Sequence, residues 1–302
     1  MKTGVLIMAY GTPTTPENIE PYYTRIRHGR PPTPELLSDL VRRYSAIGGT
    51  SPLNERTDAQ VNGIRDALEQ LAPGKYDVRF GSKYEPPMLE EIAQTFKDDG
   101  FTKVIGLVLA PHSSSMSTLQ YMTRAKETLG EGIEFIEIGE WYEFPGFLEL
   151  IAKRVNEALA KIPADHLKNT EVLFSAHSLP EKILANGDNY PDQLLDSAKR
   201  AAAIAGVTEW DIAWQSAGRT ADPWIGPDIL QVLRDKRASG VTDIVSCPIG
   251  FVSDHLEVLF DIDIEAQGVA KEVDLNIVRT VSLNADKEFV EILANVVQHA
   301  DA

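Results

Sequence analysis

The feature that most constrains this chain is a rhythm: short β-type runs alternate with longer helical patterns from one end of the sequence to the other. Alternation of this kind makes βαβ units, and these assemble into parallel sheets covered by helices. In the first half the strand signals fall at Gly4–Ala9, Tyr76–Gly81, Lys103–Ala110 and Ile133–Ile138. Helical periodicity covers Pro34–Ala46 (ended by Gly48-Gly49), Asn54–Leu71, Pro87–Asp98 and Ser117–Leu129. The second half repeats the pattern with strands at Glu171–Ala176, Asp211–Gln215, Asp243–Pro248 and Leu275–Val281. Its helices are expected at Asp192–Ala205, Gly226–Ala238, Ser253–Glu265 and Asp286–His299. The third strand of each half runs into a proline, Ala110-Pro111 and Cys247-Pro248, which hints at one architecture used twice.

At 302 residues the chain is longer than one core usually fills. The expected fold class is therefore α/β: two Rossmann-like lobes, each a four-stranded parallel sheet flanked by helices, with a cleft between them. The lobes are assigned to 1–148 and 149–284, and the helical stretch Pro145–Lys161 is taken as the hinge. Acidic residues outnumber basic ones 45 to 29, a formal charge of −16, which repels nucleic acid and anionic lipid and draws small cations towards carboxylates. A lone cysteine, Cys247, forms no internal disulfide and cannot supply the four ligands of an iron–sulfur cluster, so a reducing compartment fits. Apolar runs such as Val104–Ala110 fall far short of the roughly 18 residues of a membrane span. Nor does the stretch before the first strand leave room for a signal peptide, and a cytoplasmic, membrane-free protein is expected.

Ligands of open parallel sheets sit beyond the carboxyl ends of the strands. Those ends carry the unusual residues: Tyr10-Gly11-Thr12-Pro13, His112-Ser113-Ser114-Ser115, His177-Ser178-Leu179-Pro180 and Ser253-Asp254-His255-Leu256-Glu257. Asp254, Glu257, Asp261 and Glu265 are spaced by three, four and four residues, which at about 100° per residue puts four carboxylates on one helical stripe. A solvated acidic face is the plain interpretation in so acidic a chain. The apolar residues between them (Leu256, Val258, Leu259, Phe260, Ile262) argue for a partly covered helix, and oxygen-rich rows suit divalent cations that keep some water. His177 near such a row is a natural proton acceptor, although a loop histidine often does no more than satisfy a helix end. His112 is assigned to its loop. No Gly-x-Gly-x-x-Gly or P-loop pattern follows any strand, which argues against a nucleotide cofactor. Arg25, Arg27, Arg30, Arg42 and Arg43 form a basic island with Tyr22, Tyr23 and Tyr44, either surface charge or a clamp for carboxylates or phosphates. Trp141, Tyr142, Trp214 and Trp224 are assigned to core or cleft wall.

Four segments together resemble the ferrochelatase family, in family order and across essentially the whole chain. They are Ala9-Tyr10-Gly11-Thr12-Pro13, Ile47-Gly48-Gly49-Thr50-Ser51-Pro52-Leu53, Ser175-Ala176-His177-Ser178-Leu179-Pro180-Glu181 and Gly250-Phe251-Val252-Ser253-Asp254-His255-Leu256-Glu257-Val258-Leu259. The resemblance implies a porphyrin cleft between the lobes, with a C-terminal helix near 285–302 packed back on the first. It implies insertion of Fe²⁺, a substrate and not a resident cofactor, with no organic cofactor and no iron–sulfur cluster. His177 and Glu257 would be catalytic and face the metal-entry side of the ring; Asp261 and Glu265 would hold a divalent cation at an outer site. Tyr10 resembles the coproporphyrin III enzymes of Gram-positive bacteria and would reach the inserted iron as a phenolate. Arg27, Arg43, Tyr44, Ser51 and Tyr121 would meet propionates. The implied product is coproheme, made by a monomer that hands it transiently to a later enzyme of heme biosynthesis. A neutral His177 would accept a pyrrole proton, and Glu257 would relay it or stabilise the resulting imidazolium. Protoporphyrin IX or another tetrapyrrole, sirohydrochlorin included, remains an alternative substrate; outside enzymes, a two-lobed tetrapyrrole or metal carrier remains the alternative.

Overall fold

The computed structural model describes residues 2–218 and 222–302. Two wholly parallel sheets form its frame. The first holds β1 (Thr3–Ala9), β2 (Tyr76–Ser82), β3 (Lys103–Val108) and β4 (Glu134–Ile138) in the order β2-β1-β3-β4. The second holds β5 (Thr170–His177), β6 (Trp210–Gln215), β7 (Asp243–Cys247) and β8 (Asn276–Arg279) in the order β6-β5-β7-β8. Each order is second, first, third, fourth, so the duplication hinted at by two prolines extends to the whole topology. β3 and β7 stop short of the expected ends, at Val108 and Cys247, because a proline cannot donate to a ladder and restricts the residue before it.

The first half carries α1 (Ile19–Ile26), α2 (Pro34–Ala46), α3 (Leu53–Leu71), α4 (Leu89–Asp98) and α5 (Thr118–Leu129). Helix α6 (Phe147–Leu159) leads to the second half, with α7 (Lys182–Ala185), α8 (Tyr190–Ala205), α9 (Ile229–Ala238), α10 (Leu256–Phe260), α11 (Gln267–Glu272) and α12 (Lys287–Ala300). The single helix expected over Ser253–Glu265 is not formed. Instead α10 starts at Leu256, and the backbone widens to a π-helix over Asp261–Ala266 before α11 resumes the tighter winding.

β1 is buried along its whole length. One apolar cluster runs through both sheets, joining Val5 and Ile7 of β1 to Phe174 of β5 and Val245 of β7 by way of Ile151 on α6, Leu194 on α8 and Leu293 on α12. Each such side chain contributes roughly 1.5–3 kcal/mol by leaving water, so the halves share a core as well as a cleft. The stretch expected to act as a hinge is thus a packed helix, with Phe147, Ile151 and Val155 buried. Helix α12 lies on α3 where Gly63 makes room: a Cβ there would stand 2.9 Å from Val290. Beyond its end, Asp301 accepts from Lys75 at 2.6 Å, Lys103 at 2.7 Å and Tyr76 at 3.0 Å, which pins the tail to the first sheet. Among the described residues no helix is long and apolar enough to cross a membrane.

Candidate active site

The carboxyl ends of β1, β3, β5 and β7 open on one cleft of about 450 Å³. His177 is the last residue of β5. Its Nδ1 donates to the Ser178 carbonyl, and the Tyr190 hydroxyl donates to the His177 carbonyl at 3.1 Å. With Nδ1 committed as a donor, Nε2 faces the cleft, 3.5 Å from Glu257 Oε1. The other carboxylate oxygen stands 3.6 Å from His255 Nε2, and His255 Nδ1 donates to the Ser253 carbonyl at 2.9 Å. Two backbone-anchored imidazoles therefore flank one carboxylate. Gly250 makes this approach feasible, because a Cβ there would lie 2.5 Å from that of Ala176 and hold the 248–252 turn off β5. Gln215 completes the brace, accepting from Ser175 Oγ at 2.9 Å and donating to the Glu257 carbonyl at 3.0 Å.

A bare Nε2 lone pair pointed at a carboxylate would be repelled, so a proton between them is favoured. Burial alone would lower the His177 pKa, but the Glu257 charge and hydrogen bond, the Ser178 carbonyl and Asp261 raise it to about 9. Burial likewise opposes ionisation of Glu257, yet His177 and His255 hold it well below the usual carboxylate range. The resting pair is imidazolium and carboxylate, with 33% and 34% of the two side chains open to the cleft. That pairing adds a condition to the sequence reading of His177 as a proton acceptor: it must shed a proton before it takes one.

The acidic row does not survive as a stripe. Asp254 precedes α10 and is tied up by Ser282 at 2.7 Å, Asn284 at 2.9 Å and Arg279 at 3.2 Å. Glu257 faces the main cleft, whereas Asp261 and Glu265, past the change of helical pitch, line a second cavity of about 220 Å³. From Asp261 onward the π segment takes more residues per turn, so uniform 100° steps no longer describe the row. Asp261 accepts from Ser216 Oγ, and Arg43 Nη1 stands 3.6 Å away. Burial raises its pKa to about 7, with Glu257 adding to the rise and Ser216 and Arg43 opposing it. Among the described residues no cluster of three or more His, Cys, Asp or Glu is arranged to hold a metal ion.

The facing wall is phenolic. Tyr10 leaves the end of β1, 42% exposed into the cleft, with the Tyr84 ring edge-on at 4.8 Å. Desolvation by the surrounding walls raises its pKa well above the ordinary value, and Tyr84 and Glu257 raise it further. Tyr44 is buried, shares a 3.0 Å hydrogen bond with Thr12 and is pushed up to about 12 mainly by burial. Ser51 and Tyr121 also line the cleft, and both are buried. Lys83 sits there too, its ammonium 4.7 Å from the Tyr121 ring centre and donating to Gln120 at 2.7 Å. Arg27 does not reach the lining: its Nε is buried without a hydrogen-bond partner and its guanidinium lies 5.8 Å from the Tyr23 ring centre. Much of the basic island is neutralised in place, Arg25 by Glu85, Arg42 and Arg43 by Asp39.

Seven of the ten expected site residues thus share the cleft (Tyr10, Arg43, Tyr44, Ser51, Tyr121, His177, Glu257), Asp261 and Glu265 occupy the outer cavity, and Arg27 stands apart. His112, expected to serve its own loop, pairs instead with Ser197 of α8 at 2.7 Å and also lines the cleft, and burial lowers its pKa to about 3. Trp141 and Trp214 are core, and the Trp224 ring lies 6.4 Å from that of His177. Cys247 is buried and its thiol is pushed up to about 12. Sequence reasoning passed over Lys83, Tyr84 and Tyr190, which carry no local motif, and left His255 as a neighbour although its place beside Glu257 was a usable signal.

A family model described as Ferrochelatase matches residues 2–301. The chain is 45% identical over 299 residues to a Ferrochelatase of Herpetosiphon aurantiacus, covering 98% of each. It is 44% identical over 306 residues to the Coproporphyrin III ferrochelatase of Halalkalibacterium halodurans and 43% identical over 300 to that of Bacillus subtilis, covering 98% of this chain and 96% and 97% of theirs. Among solved structures, the sirohydrochlorin chelatase SirB of Bacillus subtilis subspecies spizizenii in complex with cobalt superposes with a TM-score of 0.57. That match is 12% identical over 99% of this chain and 95% of the other, a likeness of fold.

Proposed function

The chain belongs to the ferrochelatase family, and from that premise we propose that it inserts Fe²⁺ into coproporphyrin III to give coproheme. The observation that carries the reading is one cleft with a phenolic wall on one side and the His177–Glu257–His255 row on the other. A ring held between them has to lose two pyrrole protons as the iron loses its water. A dication approaching Glu257 disfavours the imidazolium beside it, so His177 releases its resting proton through the open carboxylate. The neutral Nε2 then takes one pyrrole proton and passes it through Glu257 to the water of the open cleft, takes the second in turn, and Glu257 holds that imidazolium as it did the first. Asp261 and Glu265 gather the hydrated cation in the outer cavity, close to the entry side. Opposite, Tyr10 is the phenol in reach of the finished iron centre, while Arg43, Tyr44, Ser51 and Tyr121 are donors for propionates, with Arg27 at the margin.

On this reading the lobes are 1–148 and 149–284, and α12 belongs with the first. The protein acts as a cytoplasmic monomer and passes coproheme on to the next enzyme of heme biosynthesis. Identity above 40% to coproporphyrin III enzymes supports that ring over the sirohydrochlorin that a shared fold alone would admit. The test is anaerobic incubation of Fe²⁺ and coproporphyrin III with protein far below the porphyrin concentration. Conversion of the Soret and visible bands well beyond one ring per protein is expected. Stoichiometric binding without turnover would make the protein a carrier.

A further inference from the structure

Two cavities meet at one wall, and Arg43 stands in it. Among the described residues three line both the main cleft and the outer acidic cavity: Arg43, Ser216 and Ala217. Two of the three hold Asp261. Ser216, whose backbone sits at φ 61°, donates its hydroxyl to Asp261, and Arg43 Nη1 stands 3.6 Å from the same carboxylate. The guanidinium also donates through Nε to Asp39 at 3.1 Å and lies over the Phe260 ring at 5.2 Å. It remains 23% exposed, while the Asp261 side chain is 8% exposed. One cation therefore faces a buried carboxylate on one side and the open cleft on the other.

We propose that Arg43 is a ring-sensitive latch: with the cleft empty it occupies Asp261, and a porphyrin carboxylate that takes the guanidinium frees Asp261 for a divalent cation. Guanidinium binds carboxylates through two parallel hydrogen bonds, so an incoming propionate competes directly with a partner that Arg43 meets at 3.6 Å, through one nitrogen. A dication entering beside Asp261 and Glu265 is repelled by a guanidinium left in place and admitted once it swings away. Cation delivery is thereby tied to ring loading, and linkage requires the reverse as well, a bound cation tightening the ring. Arg43 is a positioning residue for the cation in this scheme. The proposal rests on the reading that a carboxylate-bearing porphyrin fills the cleft.

The test uses Mn²⁺ as the probe, followed by the loss of the free-ion electron paramagnetic resonance signal in the full-length protein. Zinc coproporphyrin serves as the ring, since its centre is already filled and consumes no Mn²⁺. Wild-type protein should bind Mn²⁺ about tenfold more tightly with the ring bound, within the usual range of coupling. Arg43→Gln should bind it tightly with or without the ring, and Arg43→Lys, which keeps the charge, should regain part of the dependence. Asp261→Asn should abolish the tight site in both states. Equal Mn²⁺ affinity in wild type with and without the ring would overturn the latch, as would an Arg43→Gln protein that binds no tighter than empty wild type, or an unaffected Asp261→Asn. In each of those cases the chelatase reading stands on its own turnover test; failure of any coproporphyrin to bind removes both.

Discussion

At the carboxyl end of β1 stands Tyr10, and around it Tyr22, Tyr44, Tyr84 and Tyr121. At the carboxyl end of β5, the strand in the same position of the second sheet, stands His177 with Glu257 and His255. Strand order is shared and chemistry is not. On the first side burial raises the pKa of Tyr10, Tyr22, Tyr44 and Tyr121, so the phenols stay neutral donors in water near pH 7. Lys83 is lowered to about 8, first by burial and then by Arg124. On the second side the same enclosure is overcome by pairing, and opposite charges persist. The fold supplies two equivalent platforms; what each does is set by a few residues just past the strand ends.

The comparison breaks most sharply at His177. His177→Ala should lower the rate of metal insertion by about 10²–10⁴-fold, the usual cost of losing a general base, with coproporphyrin binding by fluorescence quenching little changed. Near-normal turnover in the folded variant would take His177 out of proton transfer and leave the second wall without its distinguishing role.

A pH profile sharpens the same point. His177 must be neutral to accept a proton, and its pKa is raised to about 9, so the neutral fraction grows about tenfold per pH unit below that value. kcat/KM for the metal should climb with pH and level off near 9, with a smaller inflection near 7 as Asp261 ionises. Asp261→Asn should remove the lower inflection and His177→Ala the upper one. A wild-type profile flat from pH 6 to 9 is inconsistent with the pairing described here.

Asp261→Asn combined with Glu265→Gln should raise the KM for iron by about tenfold, the effect of ~1.4 kcal/mol, and change maximal turnover less. These carboxylates line the outer cavity and not the main cleft. An unchanged iron dependence would return them to the status of a solvated acidic face. The smallest effect on rate is expected at the first wall: Tyr10→Phe should leave insertion nearly intact and alter the spectrum of the ferric product, since phenylalanine cannot ligate iron. Identical product spectra would remove Tyr10 as a ligand.

Much of this frame was legible in the sequence because short apolar runs mark strands buried on both faces and period-3.6 patterns mark the helices that cover them, and all eight strands fall where that rhythm placed them. The site was legible where it follows a strand end, as with Tyr10 and His177. It was illegible where the backbone departs from regular geometry or where long-range pairing decides. Asp254 looked like a ligand until Arg279, 25 positions along the chain, claimed it. The row divides between Glu257 on the main cleft and Asp261 and Glu265 on another cavity, at the point where the backbone leaves α-helical winding. The basic island read either as surface charge or as a clamp, and only the long-range and helical pairings with Glu85 and Asp39 show that Arg25, Arg42 and Arg43 already have acidic partners. The protonated state of His177 depends on Ser178 and Glu257 acting together, which no spacing reveals.

The central claim is that this cleft is built for a ring with four carboxylates. Coproporphyrin III carries four propionates, protoporphyrin IX two propionates and two vinyl groups. The first wall offers Lys83, Arg43, Tyr44, Ser51 and Tyr121 as donors inside a chain of net charge −16, which would otherwise repel a tetra-anion. A charge-assisted hydrogen bond contributes about 1.5–3 kcal/mol, and ~1.4 kcal/mol is tenfold. The direct measurement is kcat/KM for Fe²⁺ insertion into each porphyrin, anaerobically, at equal salt and without detergent. The account predicts a preference for coproporphyrin III of more than about tenfold, eroded by high salt and by Arg43→Ala. Protoporphyrin IX used equally well or better would contradict it.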